Sequence, residues 1–256
     1  MNWNSNQYLL FDYERTQPAI DLANRITLHS PKNIIDIGCG PGNSTEILKE
    51  HFPNAHILGV DSSSNMIEKA CSQYPDITFS ICDIPAEINR LSKPYDVVFS
   101  NACLQWIPNH RKLLPTLFSL LSPDGMLAVQ IPKNGSSPLY LAMDEVVSEA
   151  SWGFDKLDIA YNGSLSEEEY FNILSSLTTH FTIWETTYYH RMASYDALVE
   201  WIKGTKLRPY LSILDETKQQ ELQSEILKRI KDCYSIQTNG EIIYKFQRLF
   251  FIACNK

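Results

Sequence analysis

The sequence predicts an α/β protein built on a doubly wound, mostly parallel sheet with helices on both faces. Three observations carry this. Strand and helix patterns alternate over residues 33–131, the signature of parallel strands joined by right-handed crossovers. The apolar run Ile34–Ile37 leads straight into Gly38-Cys-Gly-Pro-Gly42, a strand feeding a glycine turn and then a helix. The second and third strand patterns each end in a carboxylate, Asp61 and Asp83.

Each element has its own warrant. Ala19, Leu22, Ala23 and Ile26 share one face of a helix over 12–29, which precedes the first strand. Asn43-Ser-Thr-Glu opens a helix that Pro53 stops. Strand His56–Asp61, helix Ser64–Gln73 and strand Ile77–Cys82 follow, then strand Tyr95–Ser100 and helix Asn109–Leu121. Ser122-Pro-Asp-Gly125 has turn chemistry, with Pro presetting φ and Gly taking the positive φ. Met126–Ile131 is the fifth strand. Beyond it, helices are expected at about 138–150, 166–176, 194–203 and 215–232, with strands Phe181–Met192 and Tyr244–Cys254. The last two strands complete the sheet to seven. The helices between them read as a cap, which divides the chain into 1–132 and 133–256.

The glycines fall at 38, 40 and 42, a G-x-G-x-G spacing, and Asn43 occupies the last position of the dinucleotide fingerprint G-x-G-x-x-G. A pyrophosphate needs the close helix approach which that final glycine permits. A nucleoside ligand without phosphates needs only a thin backbone and a carboxylate for its ribose. This favours S-adenosylmethionine (SAM) over NAD. Ligands of such sheets lie just beyond the carboxyl ends of the strands, so the positions to inspect are 38–42, 61–62, 83–84 and 101–106. Asp36, Gly38, Cys39, Gly40, Gly42, Asp61, Ser62, Met66, Asp83, Ile84 and Asn101 form the expected cofactor set. Within it Asp61 would take the ribose, Asp83 the adenine amino group and Met66 the adenine face, while Asp36 would accept from the turn or a ligand ammonium.

Composition narrows the partners. The chain has 256 residues and a net charge of −8, with no basic run, which argues against a nucleic-acid partner. Its 6 cysteines are scattered without C-x-x-C or Cys/His spacing, so reduced thiols, no metal and a cytoplasmic setting are expected. Cys39 reads as a small turn residue rather than a nucleophile. No signal-length or membrane-length apolar window occurs in the sequence.

Other polar residues sit where an acceptor substrate would. Asn101-Ala-Cys-Leu-Gln-Trp106 follows the fourth strand, making Gln105 and Trp106 positioning candidates. Tyr188 and His190 alternate with Tyr189 in the sixth strand, so the first two share a face. Arg208 lies between Gly204 and Pro209, the proline being expected to hold it out of the helical region. Arg248 lies inside an apolar strand and Arg15 near the start of the first helix. With Tyr189, these three arginines form the expected substrate set, each with a structural salt bridge as the alternative. His29, His51, His56, His110 and His180 read as bystanders.

Asp36-Ile-Gly-Cys-Gly-Pro-Gly42, Gly59-Val-Asp61 and Asp83 resemble the Rossmann-like core of class I SAM-dependent methyltransferases. A narrower resemblance, to trans-aconitate methyltransferases, spans nearly the whole chain. It rests on Trp3-Asn4, Tyr8, Phe11, Glu14-Arg15 and Pro18-Ala19, then Pro41-Gly-Asn-Ser-Thr45, Leu104-Gln-Trp106 with Pro108 and His110, and Leu127-Ala-Val-Gln130. It continues through Thr186-Thr-Tyr-Tyr-His190, Gly204-Thr-Lys-Leu-Arg-Pro-Tyr-Leu211, Asn239-Gly240 and Arg248-Leu-Phe. Lys133, where the family commonly has an acid, and the stretch 134–165 depart from the pattern.

The resemblance implies a seven-stranded sheet with one antiparallel strand. It also implies transfer of a methyl group from SAM to a carboxylate of a small tricarboxylic acid, with S-adenosylhomocysteine as the by-product. A small anionic substrate follows from it; no membrane partner, and a monomer or weak homo-oligomer, are also expected. Two other readings are a methyltransferase for another carboxyl or a carrier-bound acyl group, and a SAM- or nucleotide-binding module without activity.

Overall fold

The computed structural model describes residues 12–91, 94–154 and 164–256. The chain forms two compact units, one of Met1–Pro132, Asn162–Thr186 and Leu249–Lys256, the other of Lys133–Tyr161 and Thr187–Arg248. In chain order the first stretch carries α1 (Asp12–Ala23), β1 (Asn33–Ile37), α2 (Asn43–His51), β2 (His56–Asp61), α3 (Ser64–Gln73), β3 (Thr78–Ile81), β4 (Tyr95–Asn101), α4 (His110–Phe118) and β5 (Leu121–Pro132). There follow α5 (Pro138–Val147), α6 (Glu167–Leu177), β6 (Phe181–Met192), α7 (Tyr195–Lys203), α8 (Arg208–Leu211), α9 (Glu216–Cys233) and β7 (Ile242–Cys254).

The strands make one seven-stranded sheet in the order β3-β2-β1-β4-β5-β7-β6. Pairs among the first five strands are parallel, in registers such as Asn33↔His56, Ile34↔Val97, Leu58↔Thr78 and Val97↔Met126. β7 runs against them. The Asp124 N–H donates to Asn255 O and the Lys133 N–H to Gln247 O, so advancing along β5 means retreating along β7. The sheet is therefore mixed, as expected. β1 lies inside it, between β2 and β4, with Ile34, Ile35, Asp36 and Ile37 all inaccessible to solvent. A strand covered on both faces reads as a continuous apolar run. The order reverses between β1 and β4, and the crevice at that switch point is where such sheets bind ligands.

Three expectations need correction. The first helix ends at Ala23 rather than near residue 29. The Arg25 and Ile26 N–H groups already bond three residues back, which tightens the exit while Ile26 stays buried.

Ser122-Pro-Asp-Gly125 is not a turn between helix and strand but an irregularity inside β5. Pairing passes from Tyr95↔Leu121 to Val97↔Met126, so β5 spends extra residues there. The positive φ (61°) falls on Asp124, not Gly125. Gly125 is needed for space instead, since a Cβ there would lie 2.9 Å from Ser122 O and 3.0 Å from Tyr95 O.

Pro209 does not keep Arg208 out of helical conformation. Arg208 is the first residue of α8, and Pro209 sits in its first turn, where a missing N–H costs no hydrogen bond.

Candidate functional site

The glycine turn is pinned to the end of β2 by two backbone bonds, from the Gly38 and Cys39 N–H groups to Val60 O (2.8 and 3.0 Å). Gly38, Gly40 and Gly42 all have positive φ (73°, 55° and 99°), which L side chains rarely adopt. Their surroundings differ. A Cβ on Gly38 would collide with Cys103 Sγ at 2.1 Å, and one on Gly42 with the Tyr74 ring at 2.7 Å. A Cβ on Gly40 would meet nothing within 4 Å. The outer two glycines serve packing, and the middle one leaves open space.

That space is a cavity of about 410 Å³ beyond the carboxyl ends of the strands. Of the expected cofactor residues, Gly38, Cys39, Gly40, Asp61, Ser62 and Met66 line it, as do Asp83, Ile84 and Asn101. Trp106, expected beside an acceptor, also lines it. Asp36 and Gly42 do not line it. Asp36 is fully buried, and its Oδ2 accepts from Ser44 Oγ (2.6 Å) and Thr45 Oγ1 (2.7 Å) at the start of α2. Burial pushes its carboxyl up to about 6, against the pull of those two hydroxyls.

Asp61 ends β2 half-buried. Its Oδ2 accepts from the Gly40 N–H (3.0 Å) and its Oδ1 from the Ser63 N–H (2.9 Å). The carboxylate thus holds the turn as well as facing the cavity, with lone pairs to spare for a ligand. Burial raises its pKa while the backbone N–H groups hold it back. Asn101, at the end of β4, has a buried Oδ1 without a hydrogen-bond partner, on the cavity wall.

The loop after β4 has a brace that sequence did not reveal. His110, set aside as a bystander, is buried, and its Nε2 lies 2.7 Å from Leu104 O. A carbonyl can only accept, so Nε2 carries the proton and Nδ1 accepts from the Tyr170 hydroxyl (2.6 Å). This fixes the 3-10 turn Leu104–Trp106, and with it Trp106. Gln105 points away from the cavity and donates to Ala102 O (2.6 Å). Thr16, Ala19, Cys82 and Cys103 also line the cavity; of these, Cys103 falls in the stretch 101–106 that the sequence marks for inspection.

In the other unit, Tyr188 and His190 stack on one face of β6, ring centroids 6.2 Å apart. Tyr189 faces away and is 63% exposed, with Lys245 Nζ above its ring, so the structure does not bring it to its two neighbours. Arg248 is 2% exposed, its guanidinium 4.4 Å from the Phe246 ring centroid. Arg208 is half-buried, and desolvation lowers its pKa. Trp3, Asn4, Tyr8 and Phe11 lie outside the described residues, as do the side chains of Glu14 and Arg15. Among the described residues no group of three or more His, Cys, Asp or Glu could hold a metal ion. No described helix is long and apolar enough to cross a membrane.

A family model described as a methyltransferase domain matches residues 11–180. Trans-aconitate 2-methyltransferase of Escherichia coli O157:H7 (strain EC4115 / EHEC) is 40% identical over 252 residues, 98% of each chain. The protein of that name from Escherichia coli O45:K1 (strain S88 / ExPEC) is 41% identical over the same share. Among solved structures, the YcgJ protein of Bacillus subtilis superposes with a TM-score of 0.57 at 14% identity, covering 94% of this chain and 99% of that one. Phosphoethanolamine N-methyltransferase 2 of Haemonchus contortus, solved with S-adenosyl-L-methionine, gives 0.54 at 18%, covering 94% and 53%. These two share the fold. Turn, strand-end carboxylates and full-length identity agree, and the chain belongs to the trans-aconitate methyltransferase family of SAM-dependent methyltransferases.

Proposed function

We propose that the protein transfers the methyl group of SAM to a carboxylate of trans-aconitate, giving a monomethyl ester and S-adenosylhomocysteine. The observation that carries this reading is 40% identity across 98% of both chains to relatives named for that reaction. The cavity supports the cofactor half. Open space over Gly40 admits the amino-acid tail, and the unpartnered Asn101 Oδ1 suits its ammonium. Asp61 would accept from the ribose hydroxyls, Asp83 from the adenine amino group, while Met66 and Ile84 pack on the base. Asp36 would act on the ligand through the turn it braces rather than by contact.

SAM supplies an electrophilic methyl on a positively charged sulfur. What remains for the protein is to place an oxygen in line with it. A substrate carboxylate is already ionised at neutral pH, so no general base is needed. The rate gain comes from near-attack positioning and from excluding water, for which Trp106 at the cavity wall is placed. Arg208 and Arg248, with Arg15, are the cations proposed for the carboxylates that do not react. Residues 133–256 would supply most of the substrate contacts, Tyr188 and His190 among them. Net charge of −8 argues against a nucleic-acid partner, and six free cysteines suit a cytoplasmic protein.

Incubation with SAM and trans-aconitate, followed by product mass spectrometry, tests the reading. The expected product is the acid carrying one added methyl. Turnover on carrier-bound acyl groups but on no free tricarboxylate would overturn the substrate, and SAM binding without turnover on any acid would overturn the activity.

A further inference from the structure

The core of the second unit holds a polar arrangement that its own fold does not complete. His190 on β6 and Tyr244 on β7 are 6% and 0% exposed, with ring centroids 6.3 Å apart. His190 Nε2 and the Tyr244 hydroxyl both lack a hydrogen-bond partner. Ser137 is close enough to Tyr244 to favour its ionisation, yet no hydrogen bond of ordinary geometry reaches the hydroxyl. Arg248 acts electrostatically on both groups. Aromatic rings wall the cluster: Trp201 lies 5.1 Å from His190 and Phe246 lies 5.7 Å from it.

A buried polar group without a partner is costly, and native proteins hold few of them. Two such groups, both able to donate and both within the field of a guanidinium, suit a ligand whose oxygens accept from both. The groups have the donor character such a ligand needs. Burial, and then Arg248, push the imidazole pKa down to about 4, so it stays neutral and can present Nε2–H. A tyrosine hydroxyl donates as readily. Aromatic walls lower the local dielectric, which strengthens each of these bonds to an anion.

We propose that His190, Tyr244 and Arg248 form a subsite for a substrate carboxylate other than the one methylated; the assignment rests on the carboxylic-acid reading above. It adds Tyr244, which sequence reasoning passed over, and pairs it with His190.

Removing an unpartnered hydroxyl does not weaken a fold, but it does weaken a ligand site. With the full-length protein, Tyr244→Phe should raise KM for trans-aconitate about tenfold, as expected for a lost hydrogen bond to a charged group. Its kcat and its KM for SAM should stay within about twofold, and Tm should not fall. His190→Gln, which keeps an N–H donor, should retain more affinity than His190→Leu. Calorimetry with tricarballylate, a saturated tricarboxylate, reads the subsite without turnover. Tricarballylate bound equally well by wild type, Tyr244→Phe and His190→Leu would overturn the subsite, as would a rise in KM accompanied by a matching loss of Tm. Binding that weakens in the variants, in a protein that methylates no tricarboxylate, would keep the subsite and sink the reaction. No binding by the wild type would sink both.

Discussion

Asp36 shows how a residue beside a site can differ from a residue in it. Its position ahead of the glycines was plain in the sequence. Its partners were not, because Ser44 and Thr45 look like ordinary helix-opening residues until the turn folds them back over the carboxylate. The consequence is measurable. Burial lifts the carboxyl from 3.8 to about 6, so the folded protein prefers it protonated. Its stabilising contribution is complete below about pH 4 and is lost as pH rises through about 6, a change of roughly 3 kcal/mol. Asp36→Asn cannot titrate. In urea unfolding of the ligand-free protein between about pH 4 and pH 7, wild type should therefore lose ground to Asp36→Asn as pH rises. A constant difference between the two would show that the carboxyl is not shifted.

Among the elements, those that follow a hydrophobic period were legible and those fixed by distant contacts were not. β2, α3 and β6 begin and end where the sequence places them. The irregularity in β5 depends on register against β4, and the helical state of Arg208 on how α7 ends, neither of which a local pattern encodes. The turn Leu104–Trp106 is the functional instance. Its brace joins His110 to Tyr170, 60 residues apart in sequence. Tyr170→Phe would leave His110 Nδ1 buried without its donor, and the Leu165 N–H without its acceptor. The expected loss is ~1–3 kcal/mol of unfolding free energy, read from denaturant midpoints at unchanged m. Unchanged stability would mean that water replaces the hydroxyl.

For the molecule as a whole, alternation of strands and helices with carboxylates at strand ends was enough to foresee the sheet and the class of cofactor. The proposed carboxylate subsite was less legible, because Tyr244, His190 and Arg248 come from two strands, β6 and β7, far apart in sequence. If the cavity takes the cofactor, S-adenosylhomocysteine at about 100 times its Kd should stabilise the fold by ~2.7 kcal/mol. In scanning calorimetry that corresponds to roughly 5–10 °C, with no shift from NADH. Should the two units melt separately, the shift belongs to the transition of the unit carrying the glycine turn. The cavity wall has one further consequence. Cys39, Cys82 and Cys103 all face it, and burial raises the pKa of each, with the charges of Asp36 and Asp61 adding to the effect on Cys39 and Cys103. A thiolate beside a methyl sulfonium would be a better nucleophile than any carboxylate. Kept protonated, these sulfurs would not compete for the methyl group of a sulfonium bound there, and the protein would be spared alkylating itself.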